Sequence, residues 1–166
     1  MALLACQAGL RRAEVAGLHY DNLVRDETGW CLIVHGKGGK QRVVPITSGL
    51  ANQLRDYCHG GYVFPGQIDG HLSPDCVGRL VSRLMPTGWT LHKLRHRAAV
   101  RGFNGTHNLL ALRDFLGHSS LATTQIYLAS NLTDVRSVSE AAADTLSAMA
   151  TNMWHSKIGS NDDQRV

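Results

Sequence analysis

The chain has 166 residues, 43% of them hydrophobic, with 17 Lys+Arg against 13 Asp+Glu, a formal charge of +4 and a pI near 9.1. That length fits one domain able to bury a core without staples, and the composition is that of an ordinary soluble globular protein. The positive excess permits a nucleic-acid partner without demanding one, and nine histidines can add to the field when charged. The apolar opening Met1–Cys6 lacks a basic n-region and soon meets Arg11-Arg12. A secretory signal is therefore not expected, and no run approaches transmembrane length. Cys6, Cys31, Cys58 and Cys76 show no C-x-x-C spacing, so buried, reduced thiols and a cytoplasmic setting are expected.

In chain order, residues 2–8 predict a helix broken at Gly9, and Arg12–Leu18 a second helical stretch. Trp30–His35 reads as a strand by its β-branched content, Gly36–Gly39 as a turn, and Gln41–Ile46 as the returning strand. The result is a β-hairpin with a basic, glycine-rich tip. Gly49–Cys58 predicts a helix ending at Gly60-Gly61, and Tyr62–Gly66 a short extended piece. Ser73 is placed as N-cap and Pro74 at the first position of the next helix, with Val77, Leu80, Val81 and Leu84 as its apolar face. Further helices are expected over Leu91–Gly102, Asn108–Leu116, Leu121–Ala129 and Thr133–Met149. Gly105–His107 reads as a connection. The expected class is α+β, mainly helical with one small antiparallel sheet.

Four blocks carry chemistry. They are Gly9-Leu10-Arg11-Arg12-Ala13-Glu14, the turn Gly36-Lys37-Gly38-Gly39-Lys40-Gln41-Arg42, His92-Lys93-Leu94-Arg95-His96, and Leu116-Gly117-His118 followed by Thr124-Gln125-Ile126-Tyr127. Arginines, histidines and a tyrosine could together surround one phosphate, the tyrosine as nucleophile and the cations as charge for the transition-state oxygens. Most tyrosines only pack, and it is the surrounding pattern that singles out Tyr127. His92 shares a helix face with Arg95, where it can donate to an oxygen or accept a proton. Glu14 reads equally well as a carboxylate orienting an arginine and as a surface helix pair. His96 reads as a structural, hydrogen-bonded histidine. A zinc site at His92, His96 and His118 is disfavoured, because Arg95 would repel the cation and no H-E-x-x-H is present.

In order and spacing these blocks resemble the catalytic domain of the tyrosine recombinase (phage integrase) family. The resemblance begins almost at residue 1 and runs to about Tyr127. It implies the integrase catalytic fold and site-specific DNA recombination, in integration or excision, through a 3′-phosphotyrosine intermediate. No cofactor or metal is called for. The implied catalytic residues are Arg11 and Arg95 as phosphate clamps, His92 and His118 beside the same phosphate, Lys37 as general acid for the leaving 5′ oxygen, and Tyr127 as nucleophile. Arg12, Lys40 and Arg42 are expected on the DNA backbone.

The expected organisation is a catalytic domain over residues 1–155, without the N-terminal core-binding domain that full-length relatives carry, and a disordered tail over residues 156–166. Expected partners are double-stranded DNA, further copies in a synaptic tetramer and accessory DNA-bending proteins, with no membrane. The implied setting is a bacterial or phage-infected cytoplasm, in association with the nucleoid. The competing readings are a catalytically inactive DNA-binding remnant and DNA relaxation of the type IB topoisomerase kind.

Overall fold

The structure, a computed structural model, describes residues 1–117 and 132–143. Two short helices open the chain, α1 (Ala2–Gln7) and α2 (Arg12–Ala16). Gly9 between them has φ 62°, and a Cβ there would lie 2.8 Å from the Phe115 ring. Glycine satisfies both the left-handed backbone and the close approach.

The antiparallel sheet follows: β1 (Leu23–Asp26), β2 (Gly29–His35) and β3 (Gln41–Pro45), in spatial order β1-β2-β3. Leu32 of β2 faces Leu23 on one side and Val44 on the other. The sequence predicts only β2 and β3. β1 is four residues long with two apolar positions, too little for a period-2 signal. It forms because Asp26 closes a tight turn, its Oδ1 accepting from the backbone N–H of Thr28 at 2.8 Å and of Gly29 at 2.9 Å. The β2–β3 turn passes through Gly38 at φ 75° and Gly39 at φ 72°, values that favour glycine strongly.

Next come α3 (Ser48–Tyr57), capped by Thr47, the short β4 (Pro65–Ile68), and α4 (Pro74–Leu84). Ser73 Oγ accepts from Cys76 N at 3.1 Å, as the N-cap reading requires. Val77 and Val81 of α4 are fully buried, but Leu84 is 82% exposed, so the apolar face stops one turn short of the expected end. α5 (Leu91–Thr106), α6 (Leu109–Leu116) and α7 (Leu132–Ala143) complete the described fold. It is α+β and mainly helical, as expected.

α5 runs past Gly102, where the pattern predicts its end. Gly102 and Gly105 are contact points rather than stops: a Cβ would meet Val138 Cγ1 at 2.6 Å and Ala141 Cβ at 2.5 Å, respectively. The helix ends at His107, in the left-handed region at φ 53°, inside what the sequence suggests is a connection. The absent side chains let α7 lie close along α5. Val135, Val138 and Ala142 of α7 are buried, Ser139 Oγ donates to the Pro45 carbonyl, and Arg136 Nη2 donates to Thr28 Oγ1 at 3.0 Å. This part of the expected Thr133–Met149 helix therefore packs on its own chain. Leu146, Met149, the expected helix Leu121–Ala129 and residues 156–166 lie outside the described residues. Among the described residues no helix is long and apolar enough to cross a membrane, and Cys6, Cys31 and Cys58 are buried with free thiols.

Replacing Gly102 by valine should lower stability by roughly 1–3 kcal/mol through overpacking against α7. Gly78→Ala, in α4, where a Cβ meets nothing within 4 Å, should instead raise it. That gain should be up to about 1 kcal/mol from helix propensity. Urea unfolding of both variants checks the pair.

Candidate active site

The site is built around one carboxylate. Glu14 is the third residue of α2, and its side chain is 4% exposed. Its Oε2 accepts from the backbone N–H of Arg11 at 2.7 Å, and its Oε1 from Arg11 Nη1 at 2.8 Å. Arg42 closes a fork on the same group, Nη1 to Oε1 at 2.7 Å and Nη2 to Oε2 at 2.9 Å. Arg95 Nη1 lies 3.9 Å from Oε2. Burial opposes the charge on Glu14, but the Arg42 and Arg11 hydrogen bonds outweigh it and hold the carboxyl at about 2, against an ordinary 4.5. A surface helix pair is thereby ruled out, and the orienting role remains.

The other anchor is the end of α6. Its last carbonyls have no partner within the helix and carry the negative end of the helix dipole. Three successive carbonyls each accept from a different arginine: Phe115 O from Arg42 Nε at 3.2 Å, Leu116 O from Arg95 Nη2 at 2.7 Å, and Gly117 O from Arg11 Nη2 at 2.9 Å. Arg95 Nη1 also donates to the Gly9 carbonyl. Burial, then the neighbouring Arg11 charge, lowers the Arg95 guanidinium from 12.5 to about 10, with Glu14 opposing. Arg95 still carries its charge at neutral pH. It is held where an arriving anion would find it poorly hydrated and crowded by like charge.

Arg11, the extended N-cap residue of α2, and Arg95 of α5 thus come together on adjacent carbonyls of the α6 end. Both line an open groove together with His92, which is exposed one turn before Arg95 on α5. Arg12 is on the groove edge, 62% exposed, with Nη1 3.1 Å from Asp75 Oδ1. Lys40 is exposed. Lys37 begins the β2–β3 turn, as expected from the hairpin. His118 and Tyr127 lie outside the described residues, although Gly117, immediately before His118, ends α6 at φ 63°.

Two expectations are corrected. Arg42 is not displayed toward a DNA backbone: its side chain is 12% exposed, and its donors are engaged by Glu14 and Phe115. Its place as the second residue of β3, beside the α6 terminus, turns it inward. His96, expected as a structural, hydrogen-bonded histidine, is exposed and its side chain bonds to no other described residue, because it lies beyond the face of α5 that carries Leu94, Arg95 and Ala98 inward. Two groove residues were missed. Arg79 and Arg83, four apart on the polar face of α4, add to the basic lining. The signal was present in the amphipathic pattern that buries Val77 and Val81. Among the described residues no group of His, Cys, Asp or Glu converges as a metal site.

Residues 1–133 match the model of the phage integrase family. The chain belongs to that family. It is 36% identical over 140 residues to tyrosine recombinase XerC of Bradyrhizobium diazoefficiens, covering 76% of this chain and 43% of that protein. Tyrosine recombinase XerC of Xylella fastidiosa is 36% identical over 131 residues, covering 72% of this chain and 44% of the relative. The chain thus spans less than half the length of these curated relatives. Among solved structures, the integrase from mycobacterium phage Brujita superposes with a TM-score of 0.69 at 26% identity, over 86% of this chain and 49% of that one. The fold is shared with XerH recombinase bound to its difH substrate, at a TM-score of 0.60 and 21% identity over 72% of this chain and 38% of that one.

Because the Glu14 carboxyl falls from 4.5 to about 2 on folding, its contribution to stability is complete above pH 4.5 and is lost as pH drops toward 2. Glu14→Gln should remove that slope. It should also leave the arginines uncompensated and destabilise the fold at pH 7 by about 3–5 kcal/mol. Urea unfolding of both proteins at pH 7 and pH 3 measures the two effects together.

Proposed function

We propose that this domain cleaves and rejoins double-stranded DNA at specific sites, with Tyr127 as nucleophile and a 3′-phosphotyrosine intermediate, without metal or nucleotide. The observation that carries this reading is the Arg11–Arg95 pair, tied to adjacent carbonyls and lining one groove with His92. Two guanidinium forks side by side match the oxygens of one phosphodiester. Membership in the phage integrase family supports the same reaction.

In that reaction the Tyr127 oxygen attacks phosphorus, and the bond to the 5′ oxygen breaks. The leaving oxygen takes a proton from Lys37, and the tyrosine proton passes to a neighbouring base, for which His92 is a candidate. Arg11 and Arg95 neutralise the non-bridging oxygens as charge develops, with His92 and His118 as further donors. The phosphotyrosine keeps the energy of the broken diester, so attack by a 5′ hydroxyl reverses the step without ATP. Arg12, Lys40, Arg79 and Arg83 extend the positive surface for flanking phosphates. Assembly of copies into a synaptic tetramer, accessory DNA-bending proteins and a cytoplasmic, nucleoid-associated setting are part of the same proposal.

Incubation with nicked suicide DNA carrying candidate sites tests the reading, a denaturant-resistant protein–DNA complex being the expected product. Strand exchange between two duplexes separates recombination from simple relaxation. Tyr127→Phe should abolish the covalent complex and spare noncovalent binding. If it does not, the nucleophile lies elsewhere. Arg11→Ala and Arg95→Ala should each slow cleavage by about 10²-fold or more, the scale of losing one preorganised donor, and Arg12→Ala far less.

Lys37→Ala should slow cleavage of an ordinary diester strongly. It should slow a 5′-bridging phosphorothiolate much less, since a thiolate leaves without a proton. Equal slowing on both substrates would demote Lys37 to a DNA contact.

A further inference from the structure

Among the three arginines around Glu14, Arg42 alone comes from the sheet, and it alone does not line the groove. It is also more enclosed than Arg11, whose side chain is 41% exposed against 12% for Arg42. Arg95 is as enclosed, at 9%, but it lines the groove; Arg42, enclosed and off the groove, has little to offer a DNA phosphate directly. What it touches are the two anchors on which the groove arginines depend.

We propose that Arg42 is a positioning residue, whose guanidinium holds Glu14 and the last turn of α6 in one register and so sets the separation of the Arg11 and Arg95 forks for a single phosphate. The proposal rests on the strand-cleavage reading of that pair and adds a residue to it. On the Glu14 side, each carboxylate oxygen accepts one bond from Arg11 and one from Arg42. Four bonds use the acceptor capacity of the carboxylate and block its rotation. On the α6 side, Nε of Arg42 fixes the Phe115 carbonyl, the first of the run whose next two members hold Arg95 and Arg11. Arg42 also fills the space beside Gly117, where a Cβ would lie 2.8 Å from its Cδ and Nη1. The residue before His118 is therefore packed on the same side chain. Arg42 stands three residues beyond Gly39, so the β2–β3 turn that begins with Lys37 is joined through it to the floor of the groove.

Only a planar fork with a separate Nε donor can serve the carboxylate and the helix end together. A lysine in its place keeps the charge opposite Glu14 but has a single point of contact. This separates positioning from charge balance.

The test compares wild type, Arg42→Lys and Arg42→Gln in three measurements. These are equilibrium binding to uncleaved duplex, single-turnover covalent attachment to nicked suicide DNA at saturating protein, and orthovanadate affinity by 51V NMR, which needs no cleavage. Duplex affinity should stay within about threefold, because Arg42 neutralises no phosphate. The attachment rate should fall about 10²-fold in both variants, the scale of a small misplacement of catalytic groups. Vanadate should bind about tenfold more weakly, as two misaligned forks stabilise a phosphoryl-like anion less well. The Lys variant keeps the charge against Glu14 and carries the test if the Gln variant does not fold. A wild-type attachment rate in the Lys variant, duplex affinity falling in step with the rate, or unchanged vanadate binding would each overturn the proposal. If wild type itself forms no covalent complex, the strand-cleavage reading fails, and the vanadate arm alone decides the role of Arg42.

Discussion

The arrangement depends on a buried carboxylate and a helix end facing each other across three guanidinium groups. Glu14 and the carbonyls of Phe115, Leu116 and Gly117 supply the negative charge and dipole that allow Arg11, Arg42 and Arg95 to stand together. Like charges at such proximity repel, and burial adds a desolvation cost for each. The carboxylate and the oriented carbonyls offset both. The cluster is therefore neutral enough to fold and still short of negative charge at the groove, a lack that a phosphate would make good on the proposed reading.

The fold can be read as the means of delivering these groups to one place. Gly9 turns the chain sharply between α1 and α2, so that its carbonyl meets Arg95 and the Phe115 ring fills the space a side chain would take. α5 brings Arg95 and His92 from the opposite wall, and the glycine seam along α5 admits α7 behind it. α7 in turn is fixed to β3 and to the β1–β2 turn by Ser139 and Arg136. Sheet, α7 and groove floor are thus joined by side-chain hydrogen bonds as well as by core packing. Such bonds specify position more sharply than apolar contact, which is non-directional.

A division of labour among the cations follows. Arg95 is nearly enclosed, Arg11 is half exposed, and Arg12, Arg79 and Arg83 stand on the rim. The enclosed positions would have few conformations to lose to a bound phosphate. The rim positions remain solvated and contribute mainly long-range attraction, which salt screens. On the proposed reading, geometry for chemistry and charge for encounter come from different residues of the same groove.

Much of this was legible in the sequence because it rests on local signals. Gly9, the Ser73-Pro74 cap, the glycine turn after His35 and the spacing of His92 and Arg95 each specify a backbone conformation or a shared face within a few residues. The order of the motif blocks identified Arg11 and Arg95 as partners before any contact was visible. Other features escaped, since they are properties of distant segments brought together. β1 exists by pairing with β2, Gly102 and Gly105 end no helix because α7 lies against them, and Leu84 falls outside the contact that buries Val77 and Val81. Arg42 makes the point most clearly. In the chain it is a basic residue just past a basic turn, which is how a DNA contact reads. Its inward orientation is decided by a glutamate 28 residues earlier and a carbonyl 73 residues later. Which residues could bind a phosphate is thus a matter of residue type and local spacing, readable from the sequence. Which of them face the groove and which face inward is set by burial and by the directions of hydrogen-bond donors, and these exist only once the chain has closed on itself.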